Sequence, residues 1–155
     1  EDGDRVLIGF DARREIERMV RAYDDSKGIT AAFNLNLLER MNRELAADFR
    51  VDRFRFYCTW DPRSSAIESY LVSLVDQTVS IGALKRSFQF EAGEAIHTES
   101  SRKYTRRDIE GLATEGGFAI EATLTNSGRT FVDALWRVEK SGRRSKTRER
   151  AVETT

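Results

Sequence analysis

RVLIGFD, residues 5–11, is an almost unbroken apolar run near the start of the chain. Such a run predicts a β-strand that is buried on both faces of a mainly parallel sheet. Asp11 is the predicted N-cap of a following helix, because apolar residues then recur at helical spacing. These residues are Ile16, Met19, Val20 and Tyr23. A buried strand that leads into a helix predicts an α/β fold. Such a strand needs neighbours, and we expect them to come from sequence that precedes this chain.

Further along, the hydrophobic period changes from helical to strand-like. Thr30 is the predicted N-cap of a second helix, whose apolar stripe runs through residues 33–45. Four strand-like segments follow and predict an antiparallel meander with one apolar face. They are residues 53–60, 66–74, 78–81 and 86–92.

The last part of the chain predicts a short helix and a closing hairpin. Thr105 and Asp108 resemble a capping box at the start of the helix. Residues 118–125 and 129–139 are joined by Asn-Ser-Gly, which is typical of a β-hairpin. A late hairpin can add an antiparallel strand, so the predicted sheet is mixed.

The composition is typical of a soluble, highly charged globular domain, with 155 residues of which 39% are hydrophobic and 34% charged. No apolar run approaches the roughly 20 residues of a membrane span. One cysteine, Cys58, cannot form an internal disulfide, and this favours a cytoplasmic protein. Zero net charge provides no general attraction to nucleic acid or membranes. Residues 140–155 form a basic tail that we expect to be disordered, with RNA contact as the alternative.

AIHTESSRKYT, residues 95–105, concentrates polar side chains around the single histidine. In an extended chain His97, Glu99, Ser101 and Lys103 would share one face. Zinc requires more histidine or cysteine ligands, and calcium requires several spaced carboxylates, so we expect no metal site. A carboxylate and a hydroxyl two residues apart suit a ligand with N–H donors, such as an amine or imidazole. A solvated loop before a helix cap is the alternative.

Other candidate residues are ambiguous on sequence alone. The ring of Tyr23 fits the apolar stripe of the first helix, while its hydroxyl could reach a ligand carboxylate. Cys58 lies in the apolar segment 53–60 and is predicted to be a core residue, not a reactive thiolate. Aromatic residues in that segment leave open a base-stacking sheet surface. Nucleophile-elbow, dinucleotide and P-loop motifs are absent from the sequence.

Several long motifs resemble one enzyme family. They are YDDSKGITAAFNLNLLERMNREL (23–45), IESYLVSLVDQTV (67–79), FQFEAGEAIHTESSRKYT (88–105) and the ending GFAIEATLT…TFVDALW. In this order they are similar to the C-terminal part of the histidine-specific, S-adenosylmethionine-dependent Nα-methyltransferases of ergothioneine biosynthesis. The resemblance implies a Rossmann-like class I methyltransferase core with a mixed sheet, into which an α+β substrate-binding domain is inserted.

The resemblance also implies how the chain is divided. The expected parts are residues 1–22, the last parallel strand and helix of the core; 23–104, the substrate-binding insertion; 105–139, a helix and closing hairpin; and 140–155, the tail. S-adenosyl-L-methionine is the implied co-substrate, bound mainly by residues that precede this chain, so we expect the isolated chain to be inactive. The whole enzyme is expected to be a cytoplasmic monomer whose partner is an amino-acid substrate.

Individual site residues follow from the same resemblance. Tyr23 corresponds to a tyrosine that binds the substrate α-carboxylate, and Thr30 to a threonine near the amino group. Glu99 and Ser101 correspond to residues that hydrogen-bond the imidazole. His97 and Lys103 belong to the shared motif without an assigned role.

One site position departs from the family pattern. Ser69, in AIES, replaces the methionine of the family's RIEM, which lines the imidazole pocket. Losing that long apolar side chain would enlarge and wet the pocket. N-methylation of another amino acid is therefore one alternative to histidine, and a non-catalytic RNA- or ligand-binding domain is another. None of these residues is expected to be catalytic, because positioning an amine in line with a sulfonium methyl group is the main requirement.

Overall fold

The computed structural model describes residues 1–139, so the predicted tail lies outside the described residues. The chain divides into two compact units. Unit 1 combines Glu1–Ala12 with the described residues from Tyr104 to Glu139, and unit 2 is Arg13–Lys103. The helices and strands, in chain order, are β1 (Arg5–Asp11), α1 (Ile16–Tyr23), α2 (Ile29–Leu45), β2 (Phe54–Asp61), β3 (Ala66–Ser73), β4 (Gln77–Ile81), β5 (Arg86–Phe90), β6 (Ala95–Arg102), α3 (Arg106–Glu115), β7 (Phe118–Thr125) and β8 (Phe131–Val138).

Unit 1 is a three-stranded antiparallel sheet with helix α3. The strand order is β1-β8-β7. Its core is one aromatic and aliphatic cluster, made by Phe10, Ile109, Ala113, Ala134 and Trp136. The capping box at α3 is confirmed, because Thr105 and Asp108 exchange side-chain and backbone hydrogen bonds.

The first strand is paired along one edge and includes the residue predicted to cap the next helix. β1 pairs antiparallel with β8, and Val6 and Leu7 are 37% and 64% exposed. Within the described residues β1 therefore has an antiparallel neighbour, and burial of both its faces in a mainly parallel sheet stays a prediction. Asp11 is not a helix cap: it still pairs with Phe131 as the last residue of β1. Helix α1 begins only at Ile16.

Unit 2 contains two small antiparallel sheets covered by helices. β2, β3 and β6 form one sheet in that order, and β4 and β5 form a separate hairpin. The predicted single meander is therefore wrong: β6 occupies the free edge of β3. The main core joins α2 to both sheets through Leu38, Phe49, Phe54, Leu71, Val79 and Ile81.

Helix α2 begins one residue before the predicted cap. Gly28 is the N-cap, with a left-handed φ of 67°. The carboxylate of Asp25 accepts hydrogen bonds from the backbone N–H of Ile29 and of Thr30, at 3.0 and 2.9 Å. Asp25 thus satisfies the donors that a capping threonine would have served, and Thr30 lies inside the first turn. Among the described residues, the helices are all too short or too polar to cross a membrane.

Candidate functional site

The polar segment of residues 95–102 is strand β6, not a loop. It pairs antiparallel with β3, and the register shifts between Ser69 and Tyr70. Ser69 lies opposite Glu99, and Tyr70 lies opposite His97, which leaves Thr98 as an additional residue in β6. This bulge reverses the side-chain alternation. Glu99 and Ser101 therefore share one face of the sheet, whereas His97 lies on the other, so the prediction of a common face for His97 and Glu99 is wrong.

Three polar side chains meet on the face that carries Ser101. The hydroxyl of Tyr23, at the end of α1, donates to Ser101 Oγ at 2.6 Å. Lys103 Nζ donates to the Tyr23 hydroxyl at 2.7 Å and to Ser101 Oγ at 2.8 Å. Lys103 is only 1% exposed. The fold therefore brings two predicted site residues into direct contact and adds a buried lysine that sequence reasoning did not assign.

Glu99 and Ser69 lie beside each other on the same sheet face. They are opposite in the register of β3 and β6. Glu99 is exposed, whereas Ser69 is fully buried. Within the described residues, Ser69 Oγ has no hydrogen-bond partner. An unpaired buried hydroxyl costs about 1–3 kcal/mol, which a polar ligand group could recover.

Thr30 is connected to this sheet through a buried asparagine. The backbone carbonyl of Thr30 accepts from Asn34 Nδ2 at 3.1 Å. The Thr98 hydroxyl in turn lies 2.7 Å from Asn34 Oδ1 and 3.1 Å from the Ser69 carbonyl. The first turn of α2 is thereby attached to the bulge of β6, which fixes Thr30 relative to the strand that bears Glu99 and Ser101.

The reverse face of the sheet carries a second polar cluster around Glu68. Its carboxylate accepts from Ser100 at 2.9 Å and from Ser64 at 3.2 Å, and it lies 2.6 Å from His97 Nε2. Burial alone would raise the pKa of Glu68, but the hydrogen bonds from Ser100, His97 and Ser64 together lower it. The His97 ring lies against Tyr70, with centroids 5.1 Å apart. His97 thus has a carboxylate partner that its own segment did not reveal.

Cys58 behaves as the predicted core residue. It is buried in a cluster with Met19 and Ile67. Burial, with a smaller contribution from the charge of Asp24, raises the pKa of its thiol. Over residues 1–139, the structure contains no group of three or more histidine, cysteine or acidic side chains arranged to hold a metal ion.

Comparison with known proteins identifies the family. Residues 1–138 match the model described as a SAM-dependent, histidine-specific methyltransferase. The chain is 40% identical over 117 residues to a histidine N-alpha-methyltransferase of Mycolicibacterium smegmatis, covering 76% of this chain and 36% of the relative. It is 45% identical over 102 residues to the protein of the same name from Mycobacterium tuberculosis, covering 66% of this chain and 32% of the relative.

A more distant relative is ergothioneine biosynthesis protein 1 of Schizosaccharomyces pombe, which is 28% identical over 118 residues, covering 76% of this chain and 15% of the relative. The chain spans about a third of the length of the two mycobacterial relatives. Its mixed α/β fold is consistent with a methyltransferase-family domain. The chain belongs to the family of SAM-dependent, histidine-specific methyltransferases.

Proposed function

We propose that this chain provides the substrate-binding part of an enzyme that methylates the α-amino group of L-histidine. S-adenosylmethionine is the methyl donor, and the product is trimethylhistidine (hercynine), an intermediate of ergothioneine biosynthesis. The observation that carries the proposal is the contact between Tyr23 and Ser101 on the sheet face that also bears Glu99. In a family described as histidine-specific, this face offers complementary groups to both polar ends of histidine.

Each site residue has a chemical role in the proposal. The Glu99 carboxylate accepts an imidazole N–H, and the Ser101 hydroxyl hydrogen-bonds the other ring nitrogen. Tyr23 donates to the α-carboxylate, and Thr30 lies near the amino group. Holding both ends of the amino acid orients its nitrogen for in-line attack on a methyl group, which is the main contribution a protein can make to this reaction.

The methyl donor is proposed to bind mainly outside this chain. The sequence has no glycine-rich nucleotide-binding loop, which supports this proposal. We propose that residues 1–22 and 105–139 belong to a Rossmann-like methyltransferase core and that residues 23–104 are the inserted substrate-binding domain. The whole enzyme is proposed to act as a cytoplasmic monomer.

A substrate panel tests this function. The complete reading frame is incubated with S-adenosylmethionine and each amino acid in turn, and products are identified by mass spectrometry. We expect histidine to gain three methyl groups, and we expect residues 1–155 alone to give no product. Absence of product from every amino acid would contradict the proposal and favour a non-catalytic binding domain.

The Glu99→Gln variant tests the site itself. Losing a charged acceptor for the imidazole N–H should raise KM for histidine roughly ten- to hundredfold. Glu39, an exposed residue of α2, provides the matched control, because Glu39→Gln should leave KM unchanged. An equal KM in both variants would place the imidazole elsewhere.

Methylation of a different amino acid is the second candidate function. The buried, unpaired hydroxyl of Ser69 beside Glu99 favours it, since a polar group stands where the family has methionine. Efficient methylation of another amino acid in the same panel, with histidine a poor substrate, would establish it.

A further inference from the structure

Lys103 is a buried charged residue to which the proposed function gives no role. Its Nζ lies between two hydroxyls, those of Tyr23 and Ser101, and 4.6 Å from the centre of the Tyr23 ring. Burying an ammonium group is costly unless its hydrogen bonds repay the lost hydration. The hydroxyls of Tyr23 and Ser101, which accept from Lys103, belong to proposed substrate-binding residues, and this makes the position of Lys103 informative about the site.

An ammonium group can only donate hydrogen bonds, so it fixes the orientation of the hydroxyl groups beside it. Tyr23 and Ser101 must each turn a lone pair towards Lys103, and neither hydroxyl hydrogen can point at it. In the structure, the Tyr23 hydrogen goes to Ser101. Ser101 Oγ then accepts two hydrogen bonds, and its own hydrogen is left to donate outward.

A bound amino acid changes one bond of this arrangement. A carboxylate beside Tyr23 accepts the tyrosine hydrogen. Lys103 still donates to the oxygens of Tyr23 and Ser101. Ser101 still directs its hydrogen away from Lys103. The Ser101 hydrogen is therefore best used by a ring nitrogen that accepts, whereas a ring nitrogen that meets the Glu99 carboxylate must carry a hydrogen.

We propose that Lys103 is a positioning and specificity residue that fixes Tyr23 and Ser101 as donors towards the substrate. The site thereby selects the neutral imidazole, with one N–H and one bare nitrogen, over the imidazolium ion. This inference rests on the proposed function and names the protonation state of its substrate.

Several other titratable groups surround this position. They are Tyr23 at the end of α1, Asp24 directly after it, Glu99 of β6 and Cys58 of β2. On this face β3 contributes Ile67 and Ser69, whereas its Glu68 pairs with His97 on the reverse face. A substrate analogue whose ring does not titrate is needed to separate the substrate imidazole from these protein groups.

The test measures kcat/KM of the complete enzyme for L-histidine from pH 5 to pH 8. Because the α-amino group of any amino acid must lose a proton before it reacts, kcat/KM for histidine is divided by kcat/KM for triazolylalanine at each pH, which removes this shared dependence. In the wild type the ratio should fall about tenfold per pH unit below the imidazole pKa of about 6.5, and this fall is the acid limb. Lys103→Met should raise KM at pH 7.5 roughly ten- to hundredfold, with a smaller change in kcat. It should also flatten the acid limb, because the Ser101 hydroxyl then turns freely and accepts from imidazolium as readily as it donates to imidazole.

Two further variants and one analogue complete the design. Lys103→Arg keeps a donor and should restore part of the pH dependence, and Lys85→Met, at an exposed lysine, should resemble the wild type. Ser101→Ala should flatten the acid limb as Lys103→Met does, which provides a second test if the methionine variant does not fold. Triazolylalanine, whose ring stays neutral over this range, should show only the shared dependence on its α-amino group with the wild type.

The outcomes separate the two proposals. An acid limb that persists unchanged in folded Lys103→Met or in Ser101→Ala would overturn the role of Lys103 while leaving histidine methylation intact. A further break near pH 6.5 with triazolylalanine, beyond the dependence on its α-amino group, would assign the titration to the protein and also overturn this role. If the wild type does not methylate histidine at any pH, the proposed function itself fails.

Discussion

At the scale of single residues, Glu68 is notable because its carboxylate has several hydrogen-bond partners on the sheet face opposite the candidate site. It is 8% exposed, and the donors that surround it come from β6 and from the turn before β3. Because its carboxylate binds both His97 and Ser100, it holds β6 on either side of the bulge at Thr98. The reverse face thus supports the register that places Glu99 and Ser101 together.

We therefore expect Glu68→Gln to destabilise the protein by about 1–3 kcal/mol at pH 7, since a charged acceptor of several hydrogen bonds is lost. The folded-state pKa of Glu68 lies below its ordinary value of 4.5. Its contribution to stability is thus fully present above about pH 4.5 and is lost as the pH falls through the folded-state pKa. Urea unfolding at pH 7 and at a series of acid pH values measures both effects.

The matched control is Glu39→Gln, at an exposed position in the interior of α2. It should unfold like the wild type at every pH. If Glu68→Gln kept the acid dependence of the wild type between pH 4.5 and pH 3, the hydrogen bonds to Glu68 would not be the source of that dependence.

At the scale of secondary-structure elements, α2 depends on a cap that lies outside the helix. The backbone N–H of Thr30, and next that of Ile29, lower the pKa of Asp25 to about 2 from its ordinary value of 3.8. Asp25→Ala should lower the melting temperature by a few degrees, and Asp25→Asn, which keeps an acceptor, by less. The stabilisation should be complete above about pH 4 and vanish as the pH approaches 2.

Thermal unfolding followed by circular dichroism tests this cap. Ser26→Ala, at the exposed neighbouring position, is the control and should melt with the wild type. A melting temperature of Asp25→Ala that is unchanged at pH 7 would mean that Gly28 alone is enough to start the helix.

The same elements show where prediction from sequence succeeds. β7 has the predicted bounds of residues 118–125, and the capping box of α3 is present, because both signals are local. β6 was predicted less well, since one of its faces bears the candidate site and the other contacts Glu68. With polar groups on both faces, the apolar alternation that marks a strand is missing.

The candidate site shows the limit of local patterns even more clearly. Tyr23 and Ser101 are 78 positions apart in sequence and touch only because α1 packs on the sheet that contains β6. Spacing within either segment could not predict this contact, whereas the family resemblance proposed both residues. The burial of Lys103 was not predicted, because a lysine between polar residues is typical of an exposed segment.

At the scale of the whole molecule, the two units differ in chain connectivity and in core. Unit 2 is one continuous segment, and unit 1 is assembled from two separate ones. Unit 2 contains two apolar clusters, whereas unit 1 has one, and its strand β1 leaves Val6 and Leu7 exposed. We expect unit 2 to be the more stable unit and to unfold at a higher urea concentration.

The two tryptophans of the chain make this measurable, since Trp60 lies in unit 2 and Trp136 in unit 1. In Trp136→Phe, fluorescence follows unit 2 through Trp60, and in Trp60→Phe it follows unit 1. Adding Leu38→Ala, in the core of unit 2, should cost about 2–5 kcal/mol and shift the Trp60 transition. It should leave the Trp136 transition in place. Coincident midpoints for both probes, moving together on Leu38→Ala, would show instead that the chain unfolds as a single cooperative unit.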